Sequence, residues 1–212
     1  MCEFEVDDVY DIPPGHDATV VGDETFEAIE FASARIFAMP TDGDRVLAAV
    51  LCTDIVDSTS HLRKLGDSAW RELLTAHNQQ TREELNRFRG REIQTTGDGF
   101  LAVFDGPARA VRCAQAIGSS VGNLGIAIRA GIHTGEVELV GTDVRGVTVH
   151  EAARVAGAAT AGEVLVSATT KLLLAGSGLS FESAGIHHLK GLGDACELFR
   201  LAGPGGALPP TR

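Results

Sequence analysis

The chain has 212 residues, is 44% hydrophobic and carries a formal net charge of −11 with a pI near 5.0, enough for one domain with a real core and a modest extension but tight for two. That acidity, with no cluster of Lys or Arg, argues against a nucleic-acid surface, because phosphate backbones demand concentrated positive charge. No apolar run reaches bilayer length and no basic-then-apolar leader follows Met1, so a cytoplasmic protein is expected, with Cys2, Cys52, Cys113 and Cys196 as reduced thiols lacking metal-ligand spacing.

Residues 1–44 differ from the rest: they are acidic, contain Pro13-Pro14-Gly15, and carry an amphipathic run from Glu24 to Phe37 with Phe26, Ile29, Ala32, Ile36 and Phe37 near helical spacing. The run ends at Pro40-Thr41-Asp42-Gly43, which reads as a linker. From Arg45 the pattern predicts a strand (46–54), a long helix (Ser60 to Arg89), a hairpin (91–104), a helix (Pro107 to Val121) and a strand (Gly125 to His133). An extended hairpin from Gly135 to Arg145, a short helix from Val147 to Ala158 and an α/β tail to Leu201 follow. Residues 203–212 are Pro/Gly-rich and expected to fray. The β-α-β-β-α-β order predicts an α+β, ferredoxin-like split βαβ sheet with helices on one face, over residues 45–202.

Two stretches in this frame carry chemistry. The run Arg91 to Phe104 folds about Gly97-Asp98-Gly99, whose glycines permit positive φ. An Asp between two glycines is by itself more often a turn residue than a ligand. The apolar run Val46 to Leu51, however, ends in Cys52-Thr53-Asp54-Ile55-Val56-Asp57-Ser58-Thr59, leaving a carboxylate and backbone N–H groups at a strand end. Placed beside Asp98, it would form a two-carboxylate platform suited to hard divalent cations and phosphate oxygens. Trp70, Leu73, Leu74 and Leu85 make a core stripe on the long helix, and Leu172, Leu173 and Leu174 need no functional role. His133 is expected to end a strand in a turn and His187-His188 to straddle one, as hydrogen-bonded or exposed residues, not zinc ligands.

Four ordered motifs carry a family resemblance. Thr53 to Thr59, Thr95-Thr96-Gly97-Asp98-Gly99-Phe100, Ala130-Gly131-Ile132-His133-Thr134-Gly135-Glu136-Val137 and Val149-His150-Glu151-Ala152-Ala153-Arg154 resemble the successive motifs of class III adenylate/guanylate cyclase catalytic domains, across roughly residues 45–201. The preceding segment, with Gly22-Asp23 and the helix after it, resembles the last piece of an α/β-hydrolase domain that precedes the cyclase in some actinobacterial fusions; residues 1–44 are therefore read as an extension or the remnant of a preceding domain.

The resemblance implies a reaction in which the 3′-hydroxyl of a nucleoside triphosphate attacks its own α-phosphorus in line and expels pyrophosphate, with two divalent cations (Mg²⁺ or Mn²⁺) on the attacking and leaving oxygens. It implies that Asp54, Asp98 and the carbonyl of Ile55 bind metal, and that Ser58 and Thr59 lie in a phosphate-binding turn; Asp57 reads instead as a helix N-cap. It implies a head-to-tail homodimer whose sites lie at the interface, with Arg154 stabilising charge on the α-phosphate and Asp143 reading the base. Lys190 matches a Lys that touches the β/γ-phosphates, with a solvated surface Lys as the alternative.

Two positions depart from the pattern. Gln94 stands where adenylate cyclases usually carry Lys, and an amide that both donates and accepts should discriminate less between adenine and guanine. His150 stands where the family usually has the Asn that holds the ribose. The expected activity is ATP cyclisation with GTP accepted more weakly. A degenerate nucleotide-binding dimer, marked by Gln94 and His150, is the alternative within the fold; a diguanylate-cyclase-like enzyme would want a Gly-Gly-acidic-acidic-Phe hairpin that is absent here.

Overall fold

Strand β1 (Arg45–Ile55) runs through the middle of the sheet, and Ala48 to Leu51 are buried without a break. Unbroken burial in a strand means that both faces are covered. Ala49, Leu51 and Ile55 join one core cluster, and Ala48 and Val50 another, so successive side chains feed opposite sides of the sheet. The computed structural model describes residues 43–95, 97–189 and 195–202. The helix expected over Glu24 to Phe37, the linker up to Asp42, Cys2, Thr96, Lys190 and the tail 203–212 lie outside them.

After β1 come α1 (Ser58–Arg87), β2 (Arg91–Thr95), β3 (Phe100–Phe104), α2 (Pro107–Gly122), β4 (Ile128–Val140), β5 (Asp143–Arg145), α3 (Val147–Ala158), β6 (Val164–Ser167), α4 (Ala168–Leu173), β7 (Phe181–His187) and β8 (Cys196–Leu201). The sheet order is β2-β3-β1-β4-β6-β8-β7, with β5 paired to β4. Its first four strands are antiparallel neighbours, the ferredoxin-like arrangement expected from the element order. No helix among the described residues is long and apolar enough to cross a membrane.

Several expectations need correction. The helices do not share one face. Trp70 and Leu85 of α1 and Val111 and Ile117 of α2 pack in the cluster of Leu51 and Ile55, whereas Ala152 of α3 packs with Val50, Val137 and Val144 on the other side. The long helix is shifted two residues toward the N-terminus and is interrupted at Gly66 (φ 78°, ψ 165°), a conformation glycine adopts without strain. Asp57 occupies the N-cap position at φ 54°, but its side chain makes no capping bond; its carbonyl instead accepts from the His61 N–H at 3.0 Å. In the leucine run only Leu174 is core, while Leu172 and Leu173 are exposed.

The largest difference lies in β4, which continues through Gly135 to Val140 where a break was expected, so that His133 sits mid-strand opposite Val50. Neither Gly131 nor Gly135 has a positive φ. Their role is to leave room: a Cβ on Gly131 would lie 2.0 Å from the Ala156 backbone nitrogen, and one on Gly135 would lie 2.6 Å from Thr148 Oγ1. Helix α3 therefore rests on bare strand backbone.

Candidate active site

The β1–β3 register brings the two acidic residues to one end of the sheet. Thr53 lies opposite Phe100, and its Oγ1 accepts from the Phe100 N–H at 3.3 Å. One residue further along β1 is Asp54, and two residues before Phe100 is Asp98, half-buried in a turn that Gly97 enters at φ 77°. The chain then passes through Ile55 to Ser58, half-buried, and Thr59, exposed, in the first turn of α1.

Sequence reasoning missed Arg129. It faces Asp54 in the antiparallel β1–β4 register, and its Nε and Nη2 donate to Asp54 Oδ2 at 3.0 and 2.5 Å. About a third of each side chain is exposed (36% and 33%), so the pair is open to exchange with solutes. The available signal was an Arg inside the apolar run that leads into Gly131; its partner could be known only from the register.

Asp54 and Arg129 line a cleft of about 290 Å³ together with Gln94, Phe100 and the Val149 and Ala153 side of α3. The β2–β3 ladder shifts register between Glu92 and Gln94, and such a bulge re-aims the side chain that follows it. Cys52 also lines the cleft, its thiol pushed up to about 12 by burial and thus held protonated. A wider recess of about 590 Å³ beside α2 holds none of the predicted site residues, and its acid, Glu163, is bonded to Arg200 at 2.7 Å. Volume and chemistry part company here, and the smaller cleft is the one that holds the candidate groups Asp54, Gln94 and Arg129.

The remaining predicted residues stand apart from this cleft. His150 and Arg154 are exposed on α3, and neither lines it. Asp143 is exposed at the start of β5, with Oδ1 accepting from the Val144 N–H at 2.8 Å. One chain thus gathers Asp54, Gln94 and Arg129, and carries His150, Arg154 and Asp143 on open surface.

Residues 44–203 match the family model for the adenylate and guanylate cyclase catalytic domain. The chain belongs to this family. Among its relatives, a putative adenylate cyclase 3 of Rhizobium meliloti (strain 1021) is 29% identical over 158 residues, covering 70% of this chain and 27% of that protein. The adenylate cyclase of Lachancea kluyveri is 31% identical over 151 residues, covering 56% of this chain and 8% of that one. This chain therefore spans about a quarter or less of the length of the curated relatives it matches. The fold is shared with the crystal structure of the adenylyl cyclase CyaB from P. aeruginosa, at a TM-score of 0.72 and 21% identity, over 80% of this chain and 100% of that one. In this cyclase domain, the sheet end that carries Asp54 and Asp98 is the one built from the first two of the four motifs.

Proposed function

We propose that this cyclase domain converts ATP, and GTP more weakly, into the 3′,5′-cyclic nucleotide and pyrophosphate, as a head-to-tail homodimer using two divalent cations at each site. The observation that carries the reading is the Asp54 carboxylate at the end of β1, beside the Asp98 turn and already matched to a cation, the Arg129 guanidinium. The donor set suits Mg²⁺ or Mn²⁺: two carboxylates and the Ile55 carbonyl are hard oxygen ligands, and Mg²⁺ is commonly held by one or two carboxylates plus substrate phosphates. Bound there, the cations would lower the cost of charge on the attacking and leaving oxygens.

The protein's own groups do the rest. Arg129 lies in the same cleft and, were a cation to hold the Asp54 carboxylate, would be free to meet a triphosphate oxygen. Ser58 and Thr59 offer hydroxyls and first-turn N–H groups to phosphate at the start of α1. Gln94 meets the base, and Asp143 from a second copy accepts from the exocyclic amine of adenine. Arg154 and His150, exposed on α3, belong to the half-site presented to that second copy, where Arg154 stabilises charge on the α-phosphate and His150 holds the ribose. Lys190 is assigned to the β/γ-phosphates on the motif alone.

Purified protein with Mn²⁺ and ATP or GTP should yield cyclic nucleotide. Asp54→Ala, Asp98→Ala and Arg154→Ala should each abolish it with the fold intact. Mixed Asp54→Ala and Arg154→Ala chains should regain activity, since a heterodimer rebuilds one complete site. Absence of product from the wild-type protein would favour a nucleotide-binding dimer without catalysis, and failure of the mixture despite proven subunit exchange would refute the shared site.

A further inference from the structure

Helix α3 carries His150 and Arg154 and touches β4 through backbone at Gly131. At Gly131 no strand side chain interlocks with the helix; Ala152 and Val155 pack to either side of that seat, and directional contacts add to what sets the rotation of α3. Two are present. Thr148 Oγ1, in the first turn, donates to the Glu136 carbonyl at 2.7 Å. One turn further on, the Glu151 carboxylate contacts His133 Nε2 of the strand beneath.

His133 is itself held from behind. Its Nδ1 lies 2.8 Å from Ser167 Oγ, Ser167 Oγ lies 3.0 Å from Thr170 Oγ1, and that hydroxyl lies 3.0 Å from Thr134 Oγ1. Ser167, Thr170 and Thr134 are all buried. The chain of contacts thus runs from α3 through β4 to the end of β6 and the first turn of α4. Ser167, His133 and Glu151 have the order of a nucleophile relay, but Ser167 is buried and caps α4 by accepting from the Thr170 N–H at 3.3 Å, so the arrangement is a brace. Burial lowers the pKa of His133, with Glu151 acting in the opposite direction. The neutral ring donates Nε2–H to the carboxylate, which only accepts, and at Nδ1 it accepts a hydrogen bond from the Ser167 hydroxyl.

We propose that the Glu151–His133 contact is a positioning device for the cyclase reaction, fixing the rotation of α3 that presents Arg154 and His150 to the substrate held by the second copy. It rests on the cyclase reading above, with Arg154 acting across the dimer. Because the pair acts through Arg154, its loss should behave genetically as a defect of the α3 half-site and leave the Asp54 half-site intact.

The test is steady-state cyclase kinetics and pairwise mixing of full-length chains. Glu151→Ala is expected to lower kcat by about ten-fold, with KM for the triphosphate within about two-fold of wild type, and Glu151→Gln, which still accepts from Nε2–H, to recover most of the loss. Mixed with Asp54→Ala, Glu151→Ala should give activity above the sum of the two homodimers; mixed with Arg154→Ala, it should not. His133→Gln must show the same pairing pattern, which keeps the proposal testable if Glu151→Ala folds poorly. Wild-type kcat in both variants, or equal gain in both mixtures, would overturn the positioning role. The Asp54→Ala and Arg154→Ala mixture is the control: if it stays silent, the shared-site reading fails and this proposal with it, whereas a working control with the wrong Glu151 pattern sinks this proposal alone.

Discussion

The seat of α3 on β4 can be tested by adding one methyl group. A Cβ at Gly131 would lie 2.0 Å from the Ala156 nitrogen, 2.5 Å from its Cα and 2.6 Å from the Val155 carbonyl carbon. Non-bonded carbons rest at ~3.5–4.0 Å, so the helix must retreat by about 1.5 Å, and the atoms in the way are backbone that cannot rotate aside. Because the obstacle is backbone, the overpacking cost falls at the upper end of the ~1–3 kcal/mol range, and the stiffer unfolded chain of Ala returns ~0.4–1 kcal/mol, leaving a net loss of about 2 kcal/mol. On the proposed reading the same displacement would carry Arg154 and His150 away from the substrate, and misplacement by ~1 Å can cost ~100-fold in rate. Gly135→Ala is the comparison: its nearest obstacle, Thr148 Oγ1 at 2.6 Å, is a side chain that can turn away for the loss of one hydrogen bond, about 1 kcal/mol. Urea unfolding and cyclase kcat should therefore rank wild type above Gly135→Ala above Gly131→Ala. If Gly131→Ala unfolds within about 0.5 kcal/mol of wild type and keeps kcat within about two-fold, the backbone seat is not real.

Three further outcomes follow from the same geometry. Gln94→Lys should raise the ratio of kcat/KM for ATP over GTP and Asp143→Ala should lower it; an unchanged ratio in Gln94→Lys would mean that this residue does not face the base. The thiols of Cys52 and Cys113, both pushed up to about 12 by burial first of all, should resist alkylation in the native protein and react once urea unfolds it, as mapped by mass spectrometry. Rapid native labelling of Cys113 would contradict its burial, and that of the half-buried Cys52 its raised thiol. His77 is buried with Nε2 unpartnered, and burial lowers its pKa from 6.5 against the opposing pull of the Asn78 bond and the Asp98 charge. The unfolded chain therefore binds this proton more readily, so the contribution of His77 to stability is present above pH 6.5 and is lost as the pH falls from there through the depressed folded value. Urea midpoints should drop more steeply between pH 7 and 5 in wild type than in His77→Phe, and parallel curves would remove His77 from the account.

What could be read from the sequence was local. Asp54 could be seen at the end of an apolar run, Gly97-Asp98-Gly99 at a bend, and a helix starting near Ser58, because strand, turn and helix signals each span only a few residues. The four motifs were also legible as a resemblance, and the family match over residues 44–203 bears that out. Reading failed where one residue has two possible jobs. Gly135 after His133 suggested a turn, since glycine is common in turns, and Gly131 read as an ordinary strand residue, yet both serve as contact points beneath a helix, which no window of neighbouring residues can reveal.

The sequence by itself determined the element order, and with it the β2-β3-β1-β4 antiparallel core and the placing of two carboxylates on strand and turn ends. Tertiary structure alone decided that β1 is covered on both faces, that Arg129 meets Asp54, and that Glu151 reaches His133. Asp54 and Arg129 are 75 residues apart and meet only through strand register. The physical reason is one of range: backbone propensity and side-chain periodicity act over one or two turns, whereas pairing register and helix seating are set by packing the whole sheet at once.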